Sequence, residues 1–73
     1  MATTTATEYI NAAARCIYLR RLYMTDGSEK MMRRAEKTGE KCQKHIEKAA
    51  SMLGISYDEA RLMASDRYRK KFL

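Results

Sequence analysis

The sequence predicts an all-α domain of three helices, an antiparallel helical hairpin followed by a C-terminal helix. Three observations lead there. The 73 residues contain no proline and only three glycines, which leaves too little turn chemistry for an all-β fold. Lysine, arginine, glutamate, alanine and methionine supply most of the chain, and all are good helix formers. Two compact stop-and-start signals, Thr25-Asp26-Gly27-Ser28 and Gly54-Ile55-Ser56, divide it into three periodic segments. No internal repeat or composition break marks a second domain, so residues 1–73 read as one small unit.

The first helix is predicted over about residues 5–24. Thr5 can cap it and Glu8, three residues on, can complete a capping box. Ile10, Ala13, Ile17 and Met24 form one apolar face, and Ala12, Cys16, Leu19 and Tyr23 a second, with Tyr18 and Leu22 off both. A helix apolar around most of its circumference is expected to be covered on more than one side. In the turn, Gly27 can take positive φ and Ser28 can cap the second helix.

The second helix is predicted over residues 29–53. Met32, Ala35, Gly39, Cys42, Ile46, Ala49 and Leu53 are spaced alternately three and four apart, which puts them on one stripe. Gly39 costs about 1 kcal/mol in a helix interior. The stripe keeps phase on both sides of it, so a continuous helix is favoured over a break at Thr38-Gly39. With Ala35, Cys42 and Ala49, Gly39 makes a shallow groove that can take a close neighbour, and Ala12, Ala13 and Ala14 offer a matching surface. Of Met31 and Met32, one is expected in the core and one at its edge.

The third helix is predicted over residues 57–70. Gly54 suits the left-handed position after a helix, Ile55 folds back on the helix just left, and Ser56 with Glu59 forms a second capping box. Ala60, Met63, Ala64 and Tyr68 make the expected inward face.

Function is less legible. A net charge of +6 favours polyanions or an acidic protein surface. A chain of this size buries only about 60% of its unfolded surface, so a partner subunit is physically useful. The N-terminal MATTTATE lacks the pattern of a secretory signal, the apolar run from Tyr9 to Met24 is interrupted by Arg15, Arg20 and Arg21, and two cysteines are too few for a disulfide scaffold. A cytoplasmic, non-membrane protein is expected. Cys42 and His45 stand one turn apart, a spacing that suits zinc, but only Cys16 offers a third ligand and the hairpin should not align it. Neither a metal, another cofactor nor a catalytic site is expected.

The binding candidates are surfaces. Lys30, Arg34, Lys37, Lys41, Lys44 and Lys48 form a basic ridge on the second helix, partly offset by helical pairs such as Glu29 with Arg33 and Glu40 with Lys44. Lys37, Lys41 and Lys44, with Tyr18, Leu19 and Leu22 of the first helix, are the candidate partner-binding residues. Arg67, Arg69, Lys70 and Lys71, interleaved with Tyr68 and Phe72, make a second basic cluster that also complements the helix dipole.

Residues 46–63, IEKAASMLGISYDEARLM, resemble the helix-turn-helix of bacterial and phage DNA-binding proteins. A small residue, Ala50, stands four before the turn glycine, Gly54, and Ala49, Leu53, Ile55, Ala60 and Met63 hold the apolar positions. The resemblance covers about a quarter of the chain. It implies a third helix in the major groove, exposing Ser56, Tyr57, Asp58, Arg61, Leu62 and Ser65. Apart from the resemblance, Arg67, Arg69 and Lys70 of the basic cluster can track phosphates together with the ridge. Asp58 and Glu59 put two negative charges at the end that would approach DNA. The first expectation is therefore a non-catalytic protein that binds a protein partner as a regulator or inhibitor, itself a homodimer. A dimeric DNA-binding regulator is the alternative.

Overall fold

The computed structural model describes residues 4–73, folded as α1 (Ala6–Asp26), α2 (Glu29–Leu53) and α3 (Tyr57–Phe72). Each helix starts at an extended residue whose hydroxyl oxygen accepts a backbone N–H: Thr5 from Glu8 at 3.2 Å, Ser28 from Met31 at 3.2 Å, and Ser56 from Glu59 at 3.1 Å. These bonds satisfy donors that a helix start leaves orphaned. Among the described residues, neither Glu8 nor Glu59 returns the reciprocal bond of a capping box, so each cap is formed by half.

Gly27 (φ 74°) and Gly54 (φ 67°) end the first two helices in the left-handed conformation. The Gly54 and Ile55 amides both donate to the carbonyl of Ala50, and Ile55 folds back against the core. α1 runs two residues past the expected end, because the Thr25 hydroxyl donates to the Arg21 carbonyl at 2.8 Å and stays within the helix. Gly27 is the true stop. α3 also continues two residues, to Phe72.

α2 is unbroken through Gly39. The core that joins the helices is built mostly of alanine: Ala13, Ala49, Ala60 and Ala64 are wholly buried, with Ile10, Ile46 and Ala50 around them. Ile17 and Cys42 border this core. Small side chains let the three helices approach closely, but each alanine removes little apolar area from water and so stabilises little.

Several residues expected to face inward do not. Met24, Met32, Leu53 and Met63 are all exposed, from 41% at Met32 to 46% at Met24. The α2 stripe repeats every seven residues, whereas a straight helix drifts by ~20° per heptad. From Met32 to Leu53 the stripe rotates by about 60°; Ala35, Ile46 and Ala49 are buried and Gly39 and Cys42 half-buried, while Met32 and Leu53 at its two ends turn to solvent. Met31 takes the partly buried place beside the hairpin and Met32 the open one. On α3 the i,i+4 row Ala60, Ala64 and Tyr68 is buried, which leaves Met63 on the flank.

Candidate interaction surface

The basic ridge is fully displayed. Lys30, Arg34, Lys37, Lys41, Lys44 and Lys48 are all exposed. The ion pairs among the described residues are Arg33–Glu29 at 3.0 Å, Lys70–Asp66 at 3.2 Å and the long Arg61–Asp58 contact at 3.8 Å. None involves the ridge. The expected Glu29–Arg33 pair forms and the expected Glu40–Lys44 pair does not, so the ridge charge is not offset at close range. Such exposed pairs carry only about 0–1 kcal/mol, so their absence along the ridge costs the fold little.

The apolar candidates on α1 divide. The Tyr18 ring stacks on Phe72, with centroids 4.6 Å apart, and so is engaged within the chain. Leu19 is half-buried, while Leu22 is 48% exposed. Tyr68 lies beside Phe72 at 6.0 Å, and the Arg21 guanidinium sits 5.3 Å from the Tyr68 ring centroid. The aromatic residues of the C-terminal cluster therefore hold α3 to α1, and its exposed members are Arg67, Arg69, Lys70 and Lys71. Lys70 is partly engaged by Asp66.

Met52 and Leu62 are also well exposed, Leu62 at 59%. Met52 stands one turn beyond Lys48 and ends the basic ridge with an apolar side chain. The sequence pattern held that signal, since Lys44, Lys48 and Met52 succeed one another at i,i+4 spacing.

Tyr57, Arg61 and Ser65 occupy one side of α3, where they line an open groove shared with α1 and α2. Ile17, Arg20 and Arg21 form its α1 wall, and Gly39, Cys42 and Ile46 are among its α2 lining. A recognition helix would turn such residues away from its own domain. Here they border the groove and are still accessible, Tyr57 and Arg61 exposed and Ser65 half-buried, while Arg67, Arg69 and Lys70 lie clear of it.

Cys42 and His45, adjacent in sequence spacing, serve different surfaces. The Cys42 thiol borders the groove and donates to the Ala13 carbonyl at 3.7 Å. His45 lies 6.0 Å from Tyr9, ring to ring, and shares a shallow hollow with Cys16 and Asn11 on the other side. The Asn11 amide oxygen there is buried without a hydrogen-bond partner among the described residues. Among the described residues, no three His, Cys, Asp or Glu side chains gather as metal ligands.

Both cysteines are free. Burial pushes the Cys42 thiol up, aided by Cys16 and opposed by Arg20. Burial likewise raises Cys16 against the pull of Lys41 and Arg15. Thiols held in the neutral form are poor nucleophiles. Burial also raises Tyr57, with Cys42 and Glu47 adding to the shift and Arg61 opposing it. No helix among the described residues is long and apolar enough to cross a membrane. Comparisons with protein-family models, curated proteins and solved structures return no match.

Proposed function

We propose that this chain is a non-catalytic helical protein that binds an acidic protein partner, acting as a regulator or inhibitor. One observation carries the reading. The core is mostly alanine, while large apolar side chains such as Leu22, Met52 and Leu62 stand in solvent, and the lysines of α2 lack close carboxylates. A core of this kind supplies little stability, and exposed apolar area with surrounding charge is what an interface needs. Lys37, Lys41 and Lys44 steer the partner by long-range attraction. Leu19, Leu22 and Met52 supply area to bury. Two free thiols suit a reducing, cytoplasmic setting.

DNA binding is the second reading, supported by the exposed Arg67 and Arg69 together with the ridge. The position of Tyr57, Arg61 and Ser65 along a groove with their own neighbouring helices counts against a recognition-helix mode. Affinity capture from the source cell, with and without nuclease, tests the proposal. A protein retained after nuclease treatment is the expected result. Loss of all captured protein on nuclease treatment would mean that nucleic acid was the bridge.

A further inference from the structure

We infer that two copies of this chain associate through the groove between the three helices, each copy setting its arginines against the glutamates of the other. The groove carries both signs of charge. Arg20 and Arg21 stand on α1, Arg61 on α3, and Glu36 and Glu40 on α2. None of these arginines comes within ion-pair distance of either glutamate; Arg61 makes only the 3.8 Å contact with Asp58. In a two-fold contact a surface meets itself reversed. The basic wall of each copy then faces the acidic wall of its mate, and charges that do not meet across the groove of the single chain pair across the axis. A polyphosphate would meet Glu36 and Glu40 as like charges, so a mixed-charge occupant fits better.

Gly39 is the second observation. It lies between the two glutamates on α2, does not have positive φ, and costs the helix stability that alanine would not. Nothing in the fold calls for it. A Cβ there would meet only the side chain of Arg20, at 3.5 and 3.7 Å, which is ordinary contact. A glycine not required inside the chain has a use where another backbone comes close. A second α2 crossing at Gly39 is such an approach once the flexible Arg20 side chain swings from over the glycine toward the mate's glutamates, and it would place Glu36 and Glu40 of each copy within the other's groove. The net charge of +6 opposes association at long range. Much of it sits on the ridge, however, where Lys37 and Lys41 are each turned about 100° round α2 from the preceding glutamate.

This interface is separate from the leucines and ridge assigned to a foreign partner, so either assignment can fail alone. Sedimentation equilibrium of the full chain at micromolar concentration is the test, with helicity monitored by circular dichroism. The wild-type chain should have twice the monomer mass. The double variants Glu36→Lys/Glu40→Lys and Arg20→Glu/Arg61→Glu should each be monomeric, and an equimolar mixture should restore a 1:1 dimer. Gly39→Leu, which improves helix propensity, should be helical and monomeric, whereas Leu22→Glu should remain dimeric. A monomeric wild type would overturn the inference. So would a dimeric Gly39→Leu, a mixture of folded charge variants that does not associate, or dissociation by Leu22→Glu.

Discussion

Tyr18 of α1 and Phe72 at the end of α3 lie face to face, ring centroids 4.6 Å apart and planes within 11° of parallel. This stack, extended by Tyr68, ties the last turn of the chain to the first helix and explains why α3 passes Lys70. Phe72→Ala should fray that turn and lower stability by about 1–2 kcal/mol, combining lost area with the roughly 0.5–1.5 kcal/mol of an aromatic pair. Thermal melts check the loss, and amide exchange should quicken in residues 69–73 first. Unchanged exchange there would show that the stack does not hold the terminus.

At the second corner, Gly54 carries φ 67°, a conformation that β-branched residues strongly disfavour. Gly54→Val should cost a few kcal/mol from strain alone, since space around the position is open. Ser56→Ala should cost about 1 kcal/mol through the lost bond to Glu59 N–H. Urea titrations should show the larger shift for Gly54→Val. Equal shifts would place the strain elsewhere.

Gly39→Ala is expected to have the opposite sign. The added methyl meets only the Arg20 side chain, and alanine is the better helix former by about 1 kcal/mol. Denaturation at concentrations where the wild type is monomeric should show a gain of about that size. A loss would mean that the Arg20 side chain cannot yield.

The local signals of this fold were legible because each is written in a few adjacent residues. Thr5, Ser28 and Ser56 cap, and Gly27 and Gly54 stop, without help from distant groups. What escaped depends on tertiary geometry. A seven-residue stripe looks uniform from Met32 to Leu53, yet the drift of a straight helix exposes both ends. The end of α3 depends on Tyr18, which lies far earlier in the chain. That Tyr57 and Arg61 border a groove with α1 and α2 is equally absent from their sequence neighbours, because the other walls come from distant residues. The ridge was legible as a period, but the failure of Glu40 to pair with Lys44 was not.

The thiols should couple stability to pH in one direction. Burial raises both Cys16 and Cys42 above the ordinary thiol value of 9.0. Below that value both folded and unfolded chains are protonated there, and stability is at its full level. As pH rises through the raised native values, the unfolded chain ionises first and binds fewer protons, so stability falls. Cys16→Ser/Cys42→Ser should flatten the alkaline part of the profile relative to wild type. Ellman's reagent at about pH 8, just below the free-thiol pKa, should also react more slowly with the folded chain than with the urea-unfolded one. Equal rates would mean that the thiols are open to solvent.

The ridge separates the two functional readings most sharply. If its lysines steer an acidic protein, duplex DNA should bind without sequence preference and be lost steeply as salt rises, as expected for phosphate contacts alone. Once a partner is in hand, charge reversal at Lys37, Lys41 and Lys44 should slow association more than it speeds dissociation. Lys41→Ala should lower affinity for every duplex alike, because an exposed lysine contacts phosphates without reading bases. Arg61→Ala should act in the same way, lowering affinity for every duplex alike without changing preference, since Arg61 too is an exposed cation. A short duplex bound at least ~10³ tighter than random DNA, with that preference erased by Arg61→Ala, would reverse the ranking. Tyr57 and Arg61 border an open groove and are themselves exposed, so such a duplex would be read by α3 without the helices parting. Hydrogen exchange along α3 should then slow on addition of the duplex.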